Sequence, residues 1–334
     1  MKIPITEMKF NPMLGTTNIL MKYCLENEDE VIFSFSKLKF IEPAGALVFL
    51  STMDMLAARG VDYKFESIDN IHTSAVSYGK NLGIFQQLNL CADSSHDYGG
   101  TYISPKKVAI QEIYSQFSPI ETYYESFSSR IVSHAVKMLD YSVEKEVENL
   151  FIYVVRELIR NIFDHSQATH FYYASQKYPK SEFVEVAICD EGCGLRETVP
   201  FDVEERWFDQ DTDENAIKKA VLPGITAESN HAYASEDYKN SGYGLALVRR
   251  IIEETGGELG IATGTKAINF TKNTEDVRNC YIKGTVVRMR LNVSRLSSVN
   301  FNELLLEAES EAKRNGVLRE PSRASQTLVS KELF

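Results

Sequence analysis

The chain has 334 residues, of which 43% are hydrophobic and 25% are charged, a composition typical of a globular protein with room for two domains. A formal net charge of -11 and a pI near 5.2 argue against the basic footprint of a non-specific nucleic-acid binder. The longest apolar stretch, residues 44–50, falls short of the about 20 residues that span a bilayer, and residues 1–10 lack a signal-peptide core, so a cytoplasmic protein is expected.

The first 95 residues alternate strand and helix patterns. A β-type run at 31–35 is followed by an amphipathic segment at 44–59 and a second β-type run at 61–65. Gly60 stands where a helix C-terminal glycine is expected, and Gly45 lies near the helix start. These patterns predict a strand, helix, strand unit.

Residues 40–45 read FIEPAG, with the predicted helix and strand after them. This segment resembles a STAS domain, the small α/β fold of anti-sigma-factor antagonists, over about the first 95 residues. The resemblance implies a helix start that favours an anion, where phosphorylatable members carry serine or threonine. Pro43 and Ala44 stand there and cannot accept phosphate, so a fixed docking or dimerising role is expected. The alternative is that any βαβ unit would show this pattern.

The rest of the chain is predicted to form a linker, a second domain and a tail. Residues 91–101 are rich in turn formers, which places the linker at 96–104. Predicted helices span 121–139, 143–165, 243–255 and 299–315. Predicted strands span 170–175, 183–189, 258–262 and 285–291, and an acidic, polar stretch occupies 202–241. The predicted domains are residues 1–95 and 105–295, followed by a C-terminal helix and flexible tail at 296–334.

The helix predicted at 143–165 carries polar side chains on one face. At 100° per residue this face contains Glu157, Asn161, Asp164 and His165, beside an apolar stripe that includes Leu158. An acid and an amide one turn apart can both reach a hydrated metal ion. The alternative is an amphipathic helix with a solvated polar face.

Two glycine motifs and one strand start accompany this helix. Asp190, Gly192 and Gly194 follow a predicted strand, as also happens in ordinary strand-to-turn connections. The second motif consists of Gly242, Tyr243, Gly244 and Leu245 and leads into an apolar helix. Backbone amides at such a helix start can bind phosphate. Finally, Thr285 opens a strand.

These segments, in this order and at these separations, resemble the GHKL ATP-binding superfamily of gyrase, histidine kinases, mismatch-repair ATPases and anti-sigma-factor serine kinases. The resemblance implies an α/β (α+β) sandwich with a mixed sheet, helices on one face and a mobile ATP lid. It also implies ATP and Mg²⁺ as cofactors. Residues 222–226 resemble the start of the lid. Because the lid from there to residue 241 is acidic and poor in glycine, it stays open whether a lysine such as Lys239 reaches the γ-phosphate.

The resemblance also implies roles for individual residues. Asn161 would hold Mg²⁺ through its amide oxygen, and Glu157 would be the general base. Asp190 would read adenine by accepting a hydrogen bond from its exocyclic amine, with the Thr285 hydroxyl nearby. The implied nucleotide-binding residues are Asn161, His165, Asp190, Gly192, Gly194, Gly242, Tyr243, Gly244, Leu245 and Thr285.

Within the superfamily, the anti-sigma-factor serine kinases show the most similar spacing of Glu157, Asn161 and His165. A sensor histidine kinase is disfavoured because His134, the candidate phosphoacceptor, lies only 27 positions before Asn161. Gyrase and mismatch-repair relatives need a long transducer domain, whereas about 40 residues follow the last predicted strand.

Three functional hypotheses remain open on the sequence alone. The first is a Mg²⁺-dependent GHKL ATPase that uses ATP hydrolysis to switch its contacts with an unidentified protein partner. The second is a serine/threonine protein kinase, and the third is a nucleotide-sensing module that holds ATP without turnover. The presence of Glu157 favours the two enzymes. No nucleic-acid or membrane partner is indicated, and a homodimer could form through the first domain or the last helix.

Overall fold

Residues 1–92 form an α/β unit, which we call the N-terminal unit. The structure is a computed structural model and describes residues 1–26, 30–92, 100–136, 144–199, 212–226, 241–317, 319–322 and 326. The strands of this unit are Lys2–Pro4 (β1), Glu7–Met8 (β2), Val31–Ser34 (β3), Phe40–Ile41 (β4) and Tyr63–Phe65 (β5). Its helices are Phe10–Glu26 (α1), Pro43–Ala58 (α2), Ser74–Asn81 (α3) and Ile84–Gln87 (α4).

The predicted strand, helix, strand unit is confirmed as β3, α2 and β5. Because β3 pairs in parallel with β1 and β5, α2 is the crossover that parallel strands require. Pro43 occupies the first turn of α2, where its missing N–H leaves no bond unmade, and Gly60 follows the helix with a φ of +70°. Neither α2 nor any other helix in the described part of the chain is long and apolar enough to cross a membrane.

The second half of the chain is built on a five-stranded sheet. Its strands are Tyr102–Ala109 (β6), His170–Tyr178 (β7), Phe183–Asp190 (β8), Glu258–Thr271 (β9) and Thr274–Asn292 (β10). The order β6-β7-β8-β10-β9 joins only antiparallel neighbours. The α/β (α+β) class is confirmed, but this sheet is antiparallel and not mixed, since short hairpins join β7 to β8 and β9 to β10. Residues 102–104 of the predicted linker belong to β6.

Helices pack on this sheet at several points of the chain. They are Ile110–Gln116 (α5), Glu121–Val136 (α6), Lys145–His165 (α7), Leu195–Thr198 (α8), Asp213–Ala220 (α9), Gly244–Glu254 (α10) and Phe301–Arg314 (α11). The four predicted helices correspond to α6, α7, α10 and α11, whereas α9 lies inside the acidic, polar stretch at 202–241, for which no helix was predicted. The ends of the predicted helices at 137–139 and 143, residues 93–99 of the turn-rich segment, the lid residues 227–240 with Lys239, and most of the tail after Gly316 lie outside the described residues.

Strand β8 is buried on both of its faces. Val186 and Ile188 belong to a core that they share with α6, α7 and α10. Ala187 and Cys189 belong to a second core, which they share with α1 and α2 of the N-terminal unit. The sheet therefore carries α6, α7 and α10 on one face and the N-terminal unit on the other.

The start of α2 is docked on a buried ion pair of the sheet. Ala44 N donates to Glu185 Oε1 at 3.1 Å, and Glu185 is fully buried on β8. Arg288 on β10 contacts the second oxygen of Glu185 through Nε at 3.1 Å and reaches Glu258 through Nη1 at 2.7 Å. A carboxylate at a helix N-terminus is stabilised by free amides and by the helix dipole. The anion-favouring start of α2 thus holds a carboxylate of the sheet.

Gly45 of α2 has no room for a side chain, because the backbone of Met8 crosses it. A Cβ at Gly45 would lie 2.0 Å from Met8 O, whereas a Cβ at Gly15 of α1 would meet nothing within 4 Å. We expect Gly45→Ala to lower the free energy of unfolding by about 1–3 kcal/mol, the usual penalty for overpacking. The matched control Gly15→Ala should raise it by up to about 1 kcal/mol, since alanine is the better helix former. Urea unfolding measures both, and equal values for the two variants would contradict the close crossing.

Candidate functional site

A cavity lies between the five-stranded sheet and helices α7 and α10. Its empty volume is about 860 Å³, which includes space open to solvent. Seven residues predicted from the sequence line it, namely Asn161, His165, Asp190, Gly242, Gly244, Leu245 and Thr285. Four others, Glu157, Gly192, Gly194 and Tyr243, are not part of this lining. The fold brings the sequence motifs to one place but gives these four residues other positions.

Helix α7 supplies a polar wall of the cavity through Asn161 and His165, one turn apart. The helix is amphipathic, and Val155 and Ile159 are fully buried in the core, which leaves the side with Asn161 for the cavity. His165 Nε2 lies 3.4 Å from Thr226 Oγ1. This contact ties the last turn of α7 to residues 222–226, the segment that resembles the start of a lid.

Glu157, the predicted base, lies behind the lining of the cavity. Its side chain is 2% exposed, and its Oε2 would be 2.0 Å from a Cβ added at Gly244. The absence of a side chain at Gly244 therefore lets the first residue of α10 lie against the Glu157 carboxylate. A carboxylate beside a helix start is electrostatically favoured. Glu157 thus contacts the wall of the cavity at Gly244 without being exposed in it.

Arg160, which the sequence analysis did not single out, holds Glu157 in place. Arg160 Nη1 lies 3.3 Å from both carboxylate oxygens of Glu157, and its Nε donates to Asp164 Oδ2 at 3.2 Å. Burial lowers the pKa of Arg160, but the two carboxylates raise it by more, so the guanidinium stays charged. Arg156 Nε lies 3.7 Å from Oε1 of Glu157. The sequence signal for this cluster is the spacing of three and four residues, which puts Glu157, Arg160 and Asp164 on one side of a helix.

Asp190 ends β8 with a buried carboxyl group. It is 4% exposed, and its Oδ1 accepts a hydrogen bond from Gly192 N at 3.0 Å. Burial raises the pKa of Asp190 to about 7, although hydrogen bonds from the backbones of Gly192 and Thr285 lower it. The carboxyl group therefore changes its charge near neutral pH.

The register of β8, β10 and β9 builds one end of the cavity. Thr285 is the register partner of Asp190, so the two residues predicted to contact adenine are neighbours across the sheet. Two residues further along, Ile188, Val287 and Ile261 form a row of register partners that lines the cavity. The sequence analysis missed this apolar row. Its signal is the two-residue period of a strand, counted back from Asp190 and on from Thr285.

The glycines of the 190–194 loop serve the packing of the loop itself. A Cβ at Gly192 would lie 1.8 Å from Ser166 O, and Cys193 N donates to that same oxygen at 2.7 Å. A Cβ at Gly194 would lie 2.6 Å from Thr263 Oγ1. These glycines, which were predicted to bind nucleotide, make room for Ser166 after α7 and for the Thr263 side chain of β9.

Residues 241–245 lead into α10. Gly242 has a φ of +79°, and its backbone oxygen accepts from Gly224 N at 3.1 Å, so residues 222–226 and 241–245 lie side by side. Tyr243 is buried, and its hydroxyl donates to Arg319 O at 2.9 Å, which explains its absence from the cavity lining. Tyr243 gives no side-chain cap to α10, which begins at Gly244. The helix start lines the cavity at Gly244 and Leu245, and the backbone amides of such a start can bind an anion.

Residues 146–295 match the family of histidine kinase-, DNA gyrase B-, and HSP90-like ATPases. The matched range contains α7, the 190–194 loop, the start of α10 and Thr285, and with them the whole lining of the cavity. The match supports the resemblance of this domain to the GHKL superfamily and, at the level of the family, the binding of ATP. No match was found among curated proteins.

The raised pKa of Asp190 predicts a pH-dependent stability of the nucleotide-free protein. An aspartate in an unfolded chain titrates near pH 4, whereas Asp190 in the fold titrates at about 7. Between these values the folded state binds the additional proton, so the contribution of Asp190 to the free energy of unfolding falls as pH rises. The variant Asp190→Asn cannot titrate there. Urea unfolding from about pH 5 to about pH 7.5 should show wild type losing stability relative to Asp190→Asn, and parallel curves would contradict the assignment.

Proposed function

We propose that this protein binds ATP with Mg²⁺ and hydrolyses it as a conformational switch that controls a protein partner. The proposal rests on one observation. Asn161, Asp190, Thr285 and the first residues of α10 share one cavity in a domain that matches GHKL-type ATPases. MgATP requires three recognition elements, namely an acceptor for the base, an oxygen ligand for a hard cation and backbone amides for phosphate.

Adenine would lie between Asp190 and the apolar row of Ile188, Val287 and Ile261. The Asp190 carboxylate can accept a hydrogen bond from the exocyclic amine of adenine. Guanine presents a carbonyl oxygen at that position, which would leave two acceptors facing each other without a proton when Asp190 is ionised. The apolar row suits the face of a purine ring, since such sites combine an apolar lining with a few placed polar groups.

The phosphates would lie at the start of α10, where Gly244 and Leu245 line the cavity and the helix dipole favours an anion. Asn161 would hold Mg²⁺ through its amide oxygen. Within the described ranges, the chain has no group of three or more His, Cys, Asp or Glu side chains suited to a metal ion. This fits Mg²⁺, which commonly binds through one or two protein oxygens together with phosphate and water. When bound, the ion would neutralise charge on the phosphates.

Glu157 is the residue to which we assign the activation of water. Its carboxylate contacts Gly244, at the helix start where the phosphates would lie, and Arg160 fixes its orientation through both oxygens. Access to a water molecule in the cavity requires a shift of the first turn of α10, because Gly244 stands between. Since Gly242 is bonded to Gly224, the same shift would move residues 222–226. Turnover would then change the surface offered to a partner, which is the basis of the proposed switch.

The ion pairing of Glu157 favours a second candidate, a nucleotide-sensing module that holds ATP without turnover. Glu157 and Arg160 are both 2% exposed, and a carboxylate clamped in this way is not placed in the cavity as a base. A serine/threonine kinase of the anti-sigma-factor type would need the same base and an acceptor protein as well. That subtype, a homodimer, the domain boundaries and the STAS-like relation of residues 1–95 stay predictions.

Substitutions on α7 separate binding from turnover. We expect Glu157→Gln to lower ATP turnover by at least about 100-fold, the usual contribution of a general base, while ATP affinity is retained. Asn161→Ala should weaken ATP binding in the presence of Mg²⁺ but hardly alter it in EDTA, because the amide oxygen contributes to binding only when Mg²⁺ is present. Phosphate release and isothermal titration calorimetry measure these effects. Glu148→Gln, the same substitution at a partly exposed position of α7, is the matched control and should change neither.

The wild-type protein distinguishes the candidates. ATP that is bound but releases no phosphate would identify the sensing module. Transfer of the γ-phosphate to a serine of an added protein would identify the kinase. Absence of ATP binding would contradict the whole proposal.

A further inference from the structure

Four polar side chains form a cluster beside Asp190, on the sheet face that the N-terminal unit covers. They are Asp54 of α2, Lys107 of β6, Tyr172 of β7 and Glu191, which follows β8. The Tyr172 hydroxyl donates to Asp54 Oδ2, and Lys107 Nζ forms an ion pair with the same oxygen. Lys107 Nζ also lies 5.0 Å from the centre of the Tyr172 ring. The carboxyl groups of Asp54 and Glu191 lie close enough to interact when one of them is protonated, and each shifts the pKa of the other.

Strand register explains why these residues meet next to the nucleotide site. Lys107 is the partner of Tyr172, and Tyr172 is the partner of Cys189. Along β8 successive side chains point to opposite faces, so Cys189 faces the N-terminal unit and Asp190 faces the cavity. Glu191 continues the alternation on the side of Cys189 and reaches Asp54. One peptide unit thus separates the proposed adenine contact from a contact with the N-terminal unit.

Helix α2 is fastened to β8 at two points. Near its start, Ala44 N donates to Glu185, and near its end the Asp54 carboxyl group interacts with that of Glu191. Glu185 and Glu191 are six positions apart and lie on the same face of the strand. The helix therefore follows β8 to its end and reaches Glu191, the second residue of the 190–194 loop.

We propose that Asp54 is a positioning residue for nucleotide binding, because its contact with Glu191 holds the 190–194 loop, and with it Asp190, from the N-terminal unit. This inference rests on the proposed function, since it assumes that Asp190 recognises the base. Asp54 touches no part of the cavity lining. Its effect on a nucleotide passes through Glu191 and the backbone that follows Asp190.

A contact between two carboxyl groups depends on pH. Burial and, after it, the Asp54 carboxylate raise the pKa of Glu191, Lys107 and Lys283 lower it, and the resulting pKa is about 7. Burial also raises the pKa of Asp54, but hydrogen bonds from Lys107 and Tyr172 lower it by more, so its pKa is lowered overall. Below about pH 7 Glu191 keeps its proton and donates to the Asp54 carboxylate. Above it both groups are anions, and the contact becomes repulsive.

Two substitutions of Asp54 separate the hydrogen bond from the charge. Asp54→Ala removes the contact at every pH and should weaken ATP binding about tenfold at about pH 6.5, a typical loss for one buried polar contact. Asp54→Asn can donate to an ionised Glu191, so it should bind ATP within about twofold of wild type at about pH 6.5 and more tightly than wild type at about pH 8.5. Because Asp190 titrates in the same range, each variant is compared with wild type at the same pH, by calorimetry.

Matching substitutions of Glu191 test the contact from its other side. Glu191→Ala should behave like Asp54→Ala, and Glu191→Gln should behave like Asp54→Asn. The control is Asp69→Asn, the same change at an exposed position of the N-terminal unit, where the carboxylate bonds only Ser67 among the contacts described. It should leave ATP affinity unchanged. Melting temperatures show whether each variant is folded.

Amide hydrogen exchange in the nucleotide-free protein provides a reading that does not depend on ATP. Asp54→Ala should speed exchange of the hydrogen-bonded amides of Gly192 and Cys193, and Asp69→Asn should not. If wild type binds ATP but Asp54→Ala alters neither affinity nor exchange, the positioning role is wrong and the ATP site stands. An Asp54→Asn variant as weak as Asp54→Ala would also overturn it, since packing alone would then explain the loss. If wild type binds no ATP, the proposed function fails together with this role, and faster exchange would show only that Asp54 holds the loop.

Discussion

The organisation of this protein depends on β8, a strand that is buried on both faces. One set of alternate side chains leads through the core under α7 and ends at Asp190 in the cavity. The other set runs from Glu185, beneath the start of α2, to Glu191, beside Asp54. A shift of such a strand by one residue would exchange the two sets and place carboxyl groups in an apolar core. The pairing of β8 with β10 therefore fixes the cavity and the docking of the N-terminal unit together.

On each side of the sheet a helix starts on a buried carboxylate. Glu185 lies at the start of α2 and is paired with Arg288, while Glu157 lies at the start of α10 and is paired with Arg160. An isolated buried carboxylate is very unfavourable, so the arginines and helix amides are needed to keep these groups inside. The arrangement at α10 has a chemical consequence. Phosphate groups at that helix start would share its amides with Glu157, and the charge of Arg160 would offset the repulsion between the two anions.

Local patterns in the sequence were sufficient to locate Asn161 and Asp190, because a helix period and a strand end place them without knowledge of the whole fold. The glycine pattern was less informative. Gly192 does mark a close approach of backbone, but what approaches is Ser166, and a motif does not identify its neighbour. The contact of Ala44 with Glu185 joins residues 141 positions apart, and no local period reports such a pair. The antiparallel order of the sheet was missed for a similar reason, since strand direction follows from hairpins that the sequence only partly outlines.

The two contacts that hold α2 on β8, at Glu185 and at Glu191, differ in how easily they break. Glu185 is fully buried and bonded to Arg288, so its separation from α2 would leave charge without a partner inside the protein. The Asp54 side chain is 38% exposed, and water can replace Glu191 as its partner. A displacement of α2 would therefore release the 190–194 loop before it disturbed the register of β8. Coupling between sites is reciprocal, so a nucleotide that fixes this loop must also hold the end of α2 more firmly against the sheet. The N-terminal unit therefore affects the proposed nucleotide site through this loop, although none of its described residues lines the cavity.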